Sequence, residues 1–154
     1  AVARNFGGVE HRIELVRELH GVKYYNDSIA SSPSRTIAGL HSFPQKVILI
    51  AGGYDKHIPF DVLGPEICAH VKTLVLCGAT AGKIRAAVEN APEYREGEPQ
   101  ILEADNLREA VELAKNAAAA GDIVTLSPAC AAFDQFKNFA VRGKTFKEIV
   151  NSLT

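Results

Sequence analysis

Four short apolar runs rich in Val, Ile and Leu recur along the chain and constrain its fold more than any other feature. Uninterrupted apolar runs of this length predict strands that are covered on both faces. Segments with helical spacing separate the runs, and this alternation predicts a parallel sheet with right-handed crossovers. The runs are VILIAGG at 47–53, TLVLCG at 73–78, ILEA at 101–104 and IVTLSP at 123–128, and the helical segments are 60–71, 81–91 and 107–120.

Residues before the first of these runs predict a β-hairpin and a helix. The segments 13–19 and 22–27 have strand character around the turn residues His20-Gly21. Ser32 and Pro33 then offer an N-cap and a first-turn proline for a helix that ends near Leu40. Further along, Thr80 is a predicted cap for the segment at 81–91, and Asp105 or Asn106 for the one at 107–120.

The C-terminal part predicts two more helices. One covers about 132–141 and ends at a break at Arg142-Gly143; the last is amphipathic, with Phe146, Ile149 and Leu153 on one face. Together these elements predict an α/β domain with a doubly wound, Rossmann-like fold: a mostly parallel sheet, helices on both faces and an N-terminal β-hairpin.

Length and composition predict one soluble domain. The 154 residues are 47% hydrophobic and 23% charged, and 17 basic against 18 acidic residues give a formal charge of -1. No Lys or Arg run could follow a nucleic-acid backbone, and no apolar run could cross a membrane. Three cysteines at long spacings predict reduced, buried thiols in a cytosolic protein. The opening AVARNFGG is typical of a last helical turn closed by glycine, so residues 1–9 are interpreted as a linker remnant within a single domain, 1–154, cut from a longer chain.

Four polar loops follow predicted strands, and in such a sheet ligands bind beyond the carboxyl ends of the strands. The last loop lies in TLSPACAAFDQFKNF (125–139), where a hydroxyl, a proline turn and a predicted helix start suit a carboxylate or phosphate. On local grounds Lys56 is a solvated loop lysine, Asp27 a turn or capping residue and Arg12 a linker residue. The loops are NDSIASS (26–32), GGYDKH (52–57), GAT (78–80) and SPACAAF (127–133).

Four motifs in one order carry a family resemblance: EHR (10–12), NDSIASS, GGYDK and SPACAAFDQFKNF. Over nearly the whole chain the sequence resembles the C-terminal domain of Mur ligases, especially those that add D-glutamate to UDP-N-acetylmuramoyl-L-alanine. The resemblance implies a cytoplasmic bacterial ligase of peptidoglycan synthesis that works through an acyl phosphate. It also implies that ATP and Mg²⁺ are held mainly by a central domain, so this chain alone, with no catalytic residue of its own, is expected to be inactive.

The same resemblance implies roles for single residues. Arg12 and Asp27 would contact the nucleotide, while Lys56 and Ser31 would bind a carboxylate of D-glutamate. Ala132, and groups from Phe133 to Phe139, would receive the glutamate side-chain carboxylate. Two positions depart from relatives: Ile29 replaces a lysine, and Ala132 replaces a serine, which leaves more of that contact to backbone N–H groups.

Other motifs and other classes of protein fit the sequence less well. GATAGKI (78–84) is no Walker A motif, because only three residues separate its glycines and Ile84 stands where a hydroxyl is required; Lys83 is interpreted as an exposed helix residue. The five histidines lack HxxxH or HExxH spacing, which predicts no metal site. A related ligase, such as another Mur ligase or folylpolyglutamate synthase, stays open. A stand-alone dinucleotide-binding module also stays open, although GxGxxG is missing.

Overall fold

The computed structural model describes residues 9–132 and 135–154, and a six-stranded sheet forms its centre. The strands are β1 Glu14–Leu19, β2 Val22–Asn26, β3 Val47–Ala51, β4 Val71–Leu76, β5 Gln100–Glu103 and β6 Ile123–Leu126. The helices are α1 Pro33–Leu40, α2 Leu63–His70, α3 Ala81–Glu89, α4 Leu107–Ala117 and α5 Phe139–Ser152. The proposed linker remnant lies, apart from Val9, outside the described residues.

The strand order is β1-β2-β6-β3-β4-β5, in which β1 and β2 form the predicted antiparallel hairpin and the other pairs are parallel. Every residue of β3 is buried, and alternate side chains enter two cores. Val47, Leu49 and Ala51 pack with α1, α2 and α3, whereas Ile48 and Ile50 pack with α4 and α5. The prediction of a doubly wound sheet with helices on both faces is therefore confirmed.

The C-terminal helix differs from its prediction. Residues 135–138 form turns and bends, and α5 starts at Phe139 and runs through Gly143. The predicted helix start near 132 and the predicted break at Arg142-Gly143 are therefore wrong, and only 139–141 of the predicted segment 132–141 are helical among the described residues. The start is fixed by Asn138, whose side-chain oxygen accepts a hydrogen bond of 2.9 Å from the Val141 N–H. Position 143 lies inside α5, and glycine is required there because a Cβ would overlap the His11 ring.

The structure also describes the predicted helix caps and the three cysteines. Asn106 caps α4 by accepting a hydrogen bond from Glu109, as predicted. Thr80 is the N-cap residue of α3, as predicted, but its hydroxyl accepts the Gly53 N–H at 3.0 Å instead of an N–H of the helix. All three cysteines are buried thiols, as predicted. Among the described residues, no helix is long and apolar enough to cross a bilayer.

Candidate functional site

Backbone hydrogen bonds join the loops at the carboxyl edge of the sheet. Gly52 N–H donates to the Pro128 carbonyl at 2.9 Å, and Tyr54 N–H donates to the Ala131 carbonyl at 2.9 Å. Ala129 N–H in turn donates to the Ala30 carbonyl at 2.9 Å. The loops after β2, β3 and β6 thus form one connected surface. The loops after the neighbouring strands β3 and β6 lead to helices on opposite faces, which is where doubly wound sheets place their ligands.

The two glycines of GGYDKH allow this close approach. Gly52 has a φ of +114°, and a Cβ at this position would overlap the Cys77 carbonyl oxygen. A Cβ on Gly53 would lie 2.7 Å from the Ala131 carbonyl oxygen. A side chain at either position would therefore collide with neighbouring backbone, and glycine avoids this because it has no Cβ.

Two of the residues expected to bind D-glutamate share one cavity. Ser31 and Lys56 line it together with Tyr54 and the segment 129–131 of the last loop. The Lys56 side chain is exposed, and the structure shows no ion pair for it within 9–132 and 135–154. The cavity volume is about 10 Å³, which is roughly the least that can hold a single water. The cavity as it stands is therefore too small for an amino acid.

Ala132 and Phe139, which are expected near the glutamate side chain, do not line this cavity. Ala132 is 2% exposed, and its carbonyl accepts the N–H groups of Gln135 and Phe136 at 3.1 and 2.8 Å. Phe139 is 37% exposed and packs edge-on against His11, with ring centroids 5.9 Å apart. Phe133 lies outside the described residues. Because α5 starts only at Phe139, the expected helix N-terminus directly after β6 is wrong.

Arg12 and Asp27 line a second cavity, of about 300 Å³, on the other side of the loop after β2. Arg35, in the first turn of α1, lines the same cavity and was missed from the sequence. Asp27 is buried, and its two carboxylate oxygens accept hydrogen bonds from the Ile13 N–H at 3.2 Å and the Ser127 hydroxyl at 2.9 Å. The cavity combines one carboxylate with two guanidinium groups.

Burial raises the pKa of Asp27 from 3.8 to about 6, against the opposing effects of the Ser127 and Ile13 hydrogen bonds and of the arginine charges. The folded protein then binds this proton more tightly than the unfolded chain does, so its stability falls as the pH rises from about 4 to about 7.

Asp27→Asn cannot ionise and should escape this loss. Between pH 4 and pH 7.5 the free energy of unfolding of the variant, relative to that of the wild type, should rise by roughly 2 to 3 kcal/mol.

Urea unfolding of both proteins at the two pH values measures this difference, and any constant offset cancels. Asp61→Asn, at an exposed position, is the control. Parallel stability curves for Asp27→Asn and the wild type would show that Asp27 does not titrate in this range.

Asp55 and Lys83 form an ion pair of 2.5 Å across the site edge. Asp55 also accepts the His57 N–H at 2.8 Å, and the Lys83 hydrogen bond holds the pKa of Asp55 below its usual value. Lys83 is exposed, as predicted, but it also fixes the GGYDKH loop to α3. Asp55 therefore pairs with Lys83, whereas its neighbour Lys56 is exposed and lines the first cavity.

Arg142 of α5 is a buried residue that connects two of the loops and that was not singled out from the sequence. Its guanidinium donates to the Ser28 carbonyl at 2.7 Å, the Ser28 hydroxyl at 2.9 Å and the Cys130 carbonyl at 2.9 Å. The Ser28 hydroxyl donates in turn to the Phe139 carbonyl at 2.7 Å. Arg142 therefore fixes the loop after β2 against the loop after β6, behind the cavity lined by Ser31 and Lys56.

The fold and these loops define a doubly wound α/β domain with two adjoining cavities at the carboxyl edge of its sheet. Residues 11–130 match the model of the Mur ligase, glutamate ligase domain, and the chain belongs to this family.

Curated relatives and solved structures agree with this assignment. The chain is 57% identical over 152 residues to the UDP-N-acetylmuramoylalanine–D-glutamate ligase of Clostridium botulinum (strain Hall), and 61% identical over 155 residues to that of Acetivibrio thermocellus. Each alignment covers 99% of this chain and 33% of the relative, so the chain spans about one third of the length of these relatives.

Two solved structures share the fold at low identity. A murein peptide ligase from Psychrobacter arcticus has a TM-score of 0.61 and 13% identity, covering 96% of this chain and 31% of that one. A Mycobacterium tuberculosis folylpolyglutamate synthase complexed with ADP has a TM-score of 0.61 and 16% identity, covering 92% and 32%.

Proposed function

We propose that this chain is the amino-acid-binding domain of an ATP-dependent ligase that joins D-glutamate to UDP-N-acetylmuramoyl-L-alanine in cytoplasmic peptidoglycan synthesis. In this reaction ATP transfers its γ-phosphoryl group to the carboxylate of the muramoyl substrate, which gives an acyl phosphate and ADP. The D-glutamate amine then attacks the acyl carbon, the amide bond forms and phosphate leaves. The observation that carries the proposal is the meeting of Ser31 and Lys56 in one cavity beside the loop after β6, in a chain at least 57% identical to ligases of this name.

Lys56 and Ser31 are proposed to hold a carboxylate of D-glutamate. The Lys56 ammonium provides a charge-assisted hydrogen bond, which is stronger than a neutral one. The Ser31 hydroxyl adds a second donor from the facing loop. Ala132 and backbone groups up to Phe139 are proposed to lie along the side-chain end of the amino acid, and Phe133 retains the role that the family resemblance implies.

The larger cavity is proposed to take part of the nucleotide. Arg12 can approach its phosphates, and Asp27 can accept hydrogen bonds from ribose hydroxyls. Two arginines beside one carboxylate are unsuited to Mg²⁺, which prefers oxygen ligands. We therefore assign Mg²⁺ and most phosphate contacts to a central domain of the longer ligase, and we assign this chain the tasks of delivering D-glutamate and covering ATP.

Lys56→Ala in the full-length ligase should raise the KM for D-glutamate much more than the KM for ATP. The lost charge-assisted contact corresponds to about 1.5 to 3 kcal/mol, or at least about tenfold in KM. Lys144→Ala, at an exposed position of α5, is the matched control. Equal changes in both constants, or none, would make Lys56 an ordinary loop lysine. Repeating the assay with L-glutamate and other amino acids separates this proposal from a related ligase of different specificity.

Ala132→Ser tests whether this position contacts substrate. At a position beside the glutamate carboxylate, the hydroxyl should leave D-glutamate binding unchanged or improve it by about 1 kcal/mol. A hydroxyl buried without a partner should instead destabilise the fold by about 1 to 3 kcal/mol. The proposal predicts the first result in D-glutamate titrations of the full-length ligase. A loss of stability with an unaltered KM would remove Ala132 from the site.

A further inference from the structure

Three potential metal ligands converge where the C-terminal end of α1 packs against α2. His41 directly follows α1, and Glu66 and His70 lie one turn apart on α2. Glu66 Oε1 lies 2.7 Å from His41 Nε2 and 3.6 Å from His70 Nε2, and the three ligating atoms all lie within 4.8 Å of one another. The two imidazole rings are tilted by 40° relative to each other, with centroids 4.6 Å apart.

This donor set suits a divalent transition metal. Two imidazole nitrogens and one carboxylate oxygen form a common zinc ligand set, in which a water takes the fourth tetrahedral position. With Zn–N and Zn–O bonds of about 2.0 to 2.2 Å, ligand atoms in a tetrahedron lie about 3.3 to 3.5 Å apart. The distances from Glu66 fall on both sides of this value. Small side-chain rotations can therefore form the site.

Exposure of the three side chains allows such rotations and admits an ion from solvent. The exposed fractions are 55% for His41, 33% for Glu66 and 30% for His70. Imidazole ligands favour Zn²⁺, Ni²⁺, Cu²⁺ or Co²⁺ over Mg²⁺, which prefers oxygen. The cluster therefore suits a different metal from the Mg²⁺ proposed for the central domain of the ligase.

We propose that His41, Glu66 and His70 bind one divalent transition-metal ion of the Zn²⁺ type, with water as the fourth ligand. The site lies at the amino edge of the sheet, because α2 ends at His70 and β4 begins at Val71. Both helices begin near the opposite edge, after the loops that carry Ser31 and Lys56. The ion is therefore structural: it connects α1 to α2 and stabilises the native state because the unfolded chain does not hold the three ligands together.

The experiment uses the 154-residue chain after treatment with EDTA and removal of the chelator. Calorimetric titration with ZnCl₂ should give one ion per chain, and Zn²⁺ should raise Tm. Co²⁺ should produce the visible absorption of a tetrahedral site. His41→Gln, His70→Gln and Glu66→Gln should each lose the Tm shift and the Co²⁺ bands. His20→Asn, which changes a histidine elsewhere on the surface, should retain both.

Circular dichroism of each variant without metal confirms folding before the titrations are compared. Absence of one-to-one binding in the wild type would overturn the proposal. An undiminished Tm shift in His41→Gln together with His70→Gln would also overturn it, because Zn²⁺ would then act elsewhere. The wild-type Co²⁺ spectrum tests the ligand geometry independently of any variant, and octahedral bands would contradict the proposed site.

Discussion

Gly52→Ala is expected to destabilise the chain by about 2 to 6 kcal/mol. At a φ of +114° a side chain is strained, which contributes on the order of 1 to 3 kcal/mol. The new Cβ would also overlap the Cys77 carbonyl oxygen, so the backbone between the loops after β3 and β4 must move, at a further cost of about 1 to 3 kcal/mol. Urea unfolding measures the sum.

Gly82→Ala is the matched control. Gly82 lies in the first turn of α3, and a Cβ there meets no described atom within 4 Å. Alanine is favoured over glycine in a helix by up to about 1 kcal/mol, so this variant should equal or exceed the wild type in stability. If Gly52→Ala and Gly82→Ala unfold at the same urea concentration, the close loop approach at Gly52 does not constrain the fold.

Arg142→Met should destabilise the chain by about 3 to 5 kcal/mol, because it removes a buried group from a hydrogen-bond network. The Ser28 and Cys130 carbonyls each lose a guanidinium donor inside the protein. Since both carbonyls belong to loops at the site, the full-length ligase should also show a higher KM for D-glutamate. Chemical unfolding and steady-state kinetics give the two readouts.

Two further variants test whether the lost stability comes from the buried guanidinium group. Arg142→Lys keeps the charge but not the planar fork, so it should recover only part of the stability. Arg108→Met removes an exposed arginine of α4 and should change stability by less than about 0.5 kcal/mol. A small loss at both positions would mean that Arg142 does not hold the loops together.

The sheet could be predicted because its strands are continuous apolar runs. Val47–Ala51 is buried on both faces, and only a covered strand requires five apolar residues in succession. The parallel crossovers and the hairpin follow from the same pattern. The C-terminal helix could not be placed in this way. Gly143 is typical of a helix break when only its neighbours are considered, and its real constraint is the His11 ring, which is distant in sequence.

A family motif marked residues that the fold brings together, and their binding roles stay predictions. Ser31 and Lys56 were identified by resemblance, and the structure places them in one cavity. Arg142 and Arg35 were missed, because their roles depend on partners that only the fold brings near. The histidine cluster was missed for a related reason: HxxxH and HExxH spacing marks two histidines one turn apart on one helix, whereas His41 approaches the Glu66–His70 pair from the end of another helix.

The position of β6 in the sheet has a consequence for the order in which the protein folds. β6 comes last among the strands, yet it lies between β2 and β3, which do not pair with each other. During synthesis the β1–β2 hairpin and the β3–β4–β5 group therefore cannot join into this one sheet until Ile123–Leu126 has emerged. Folding then depends on closing long stretches of chain at once, which is slow compared with folding from local contacts. The loop after β6, which completes the proposed substrate cavity, is also among the last parts of the domain to form.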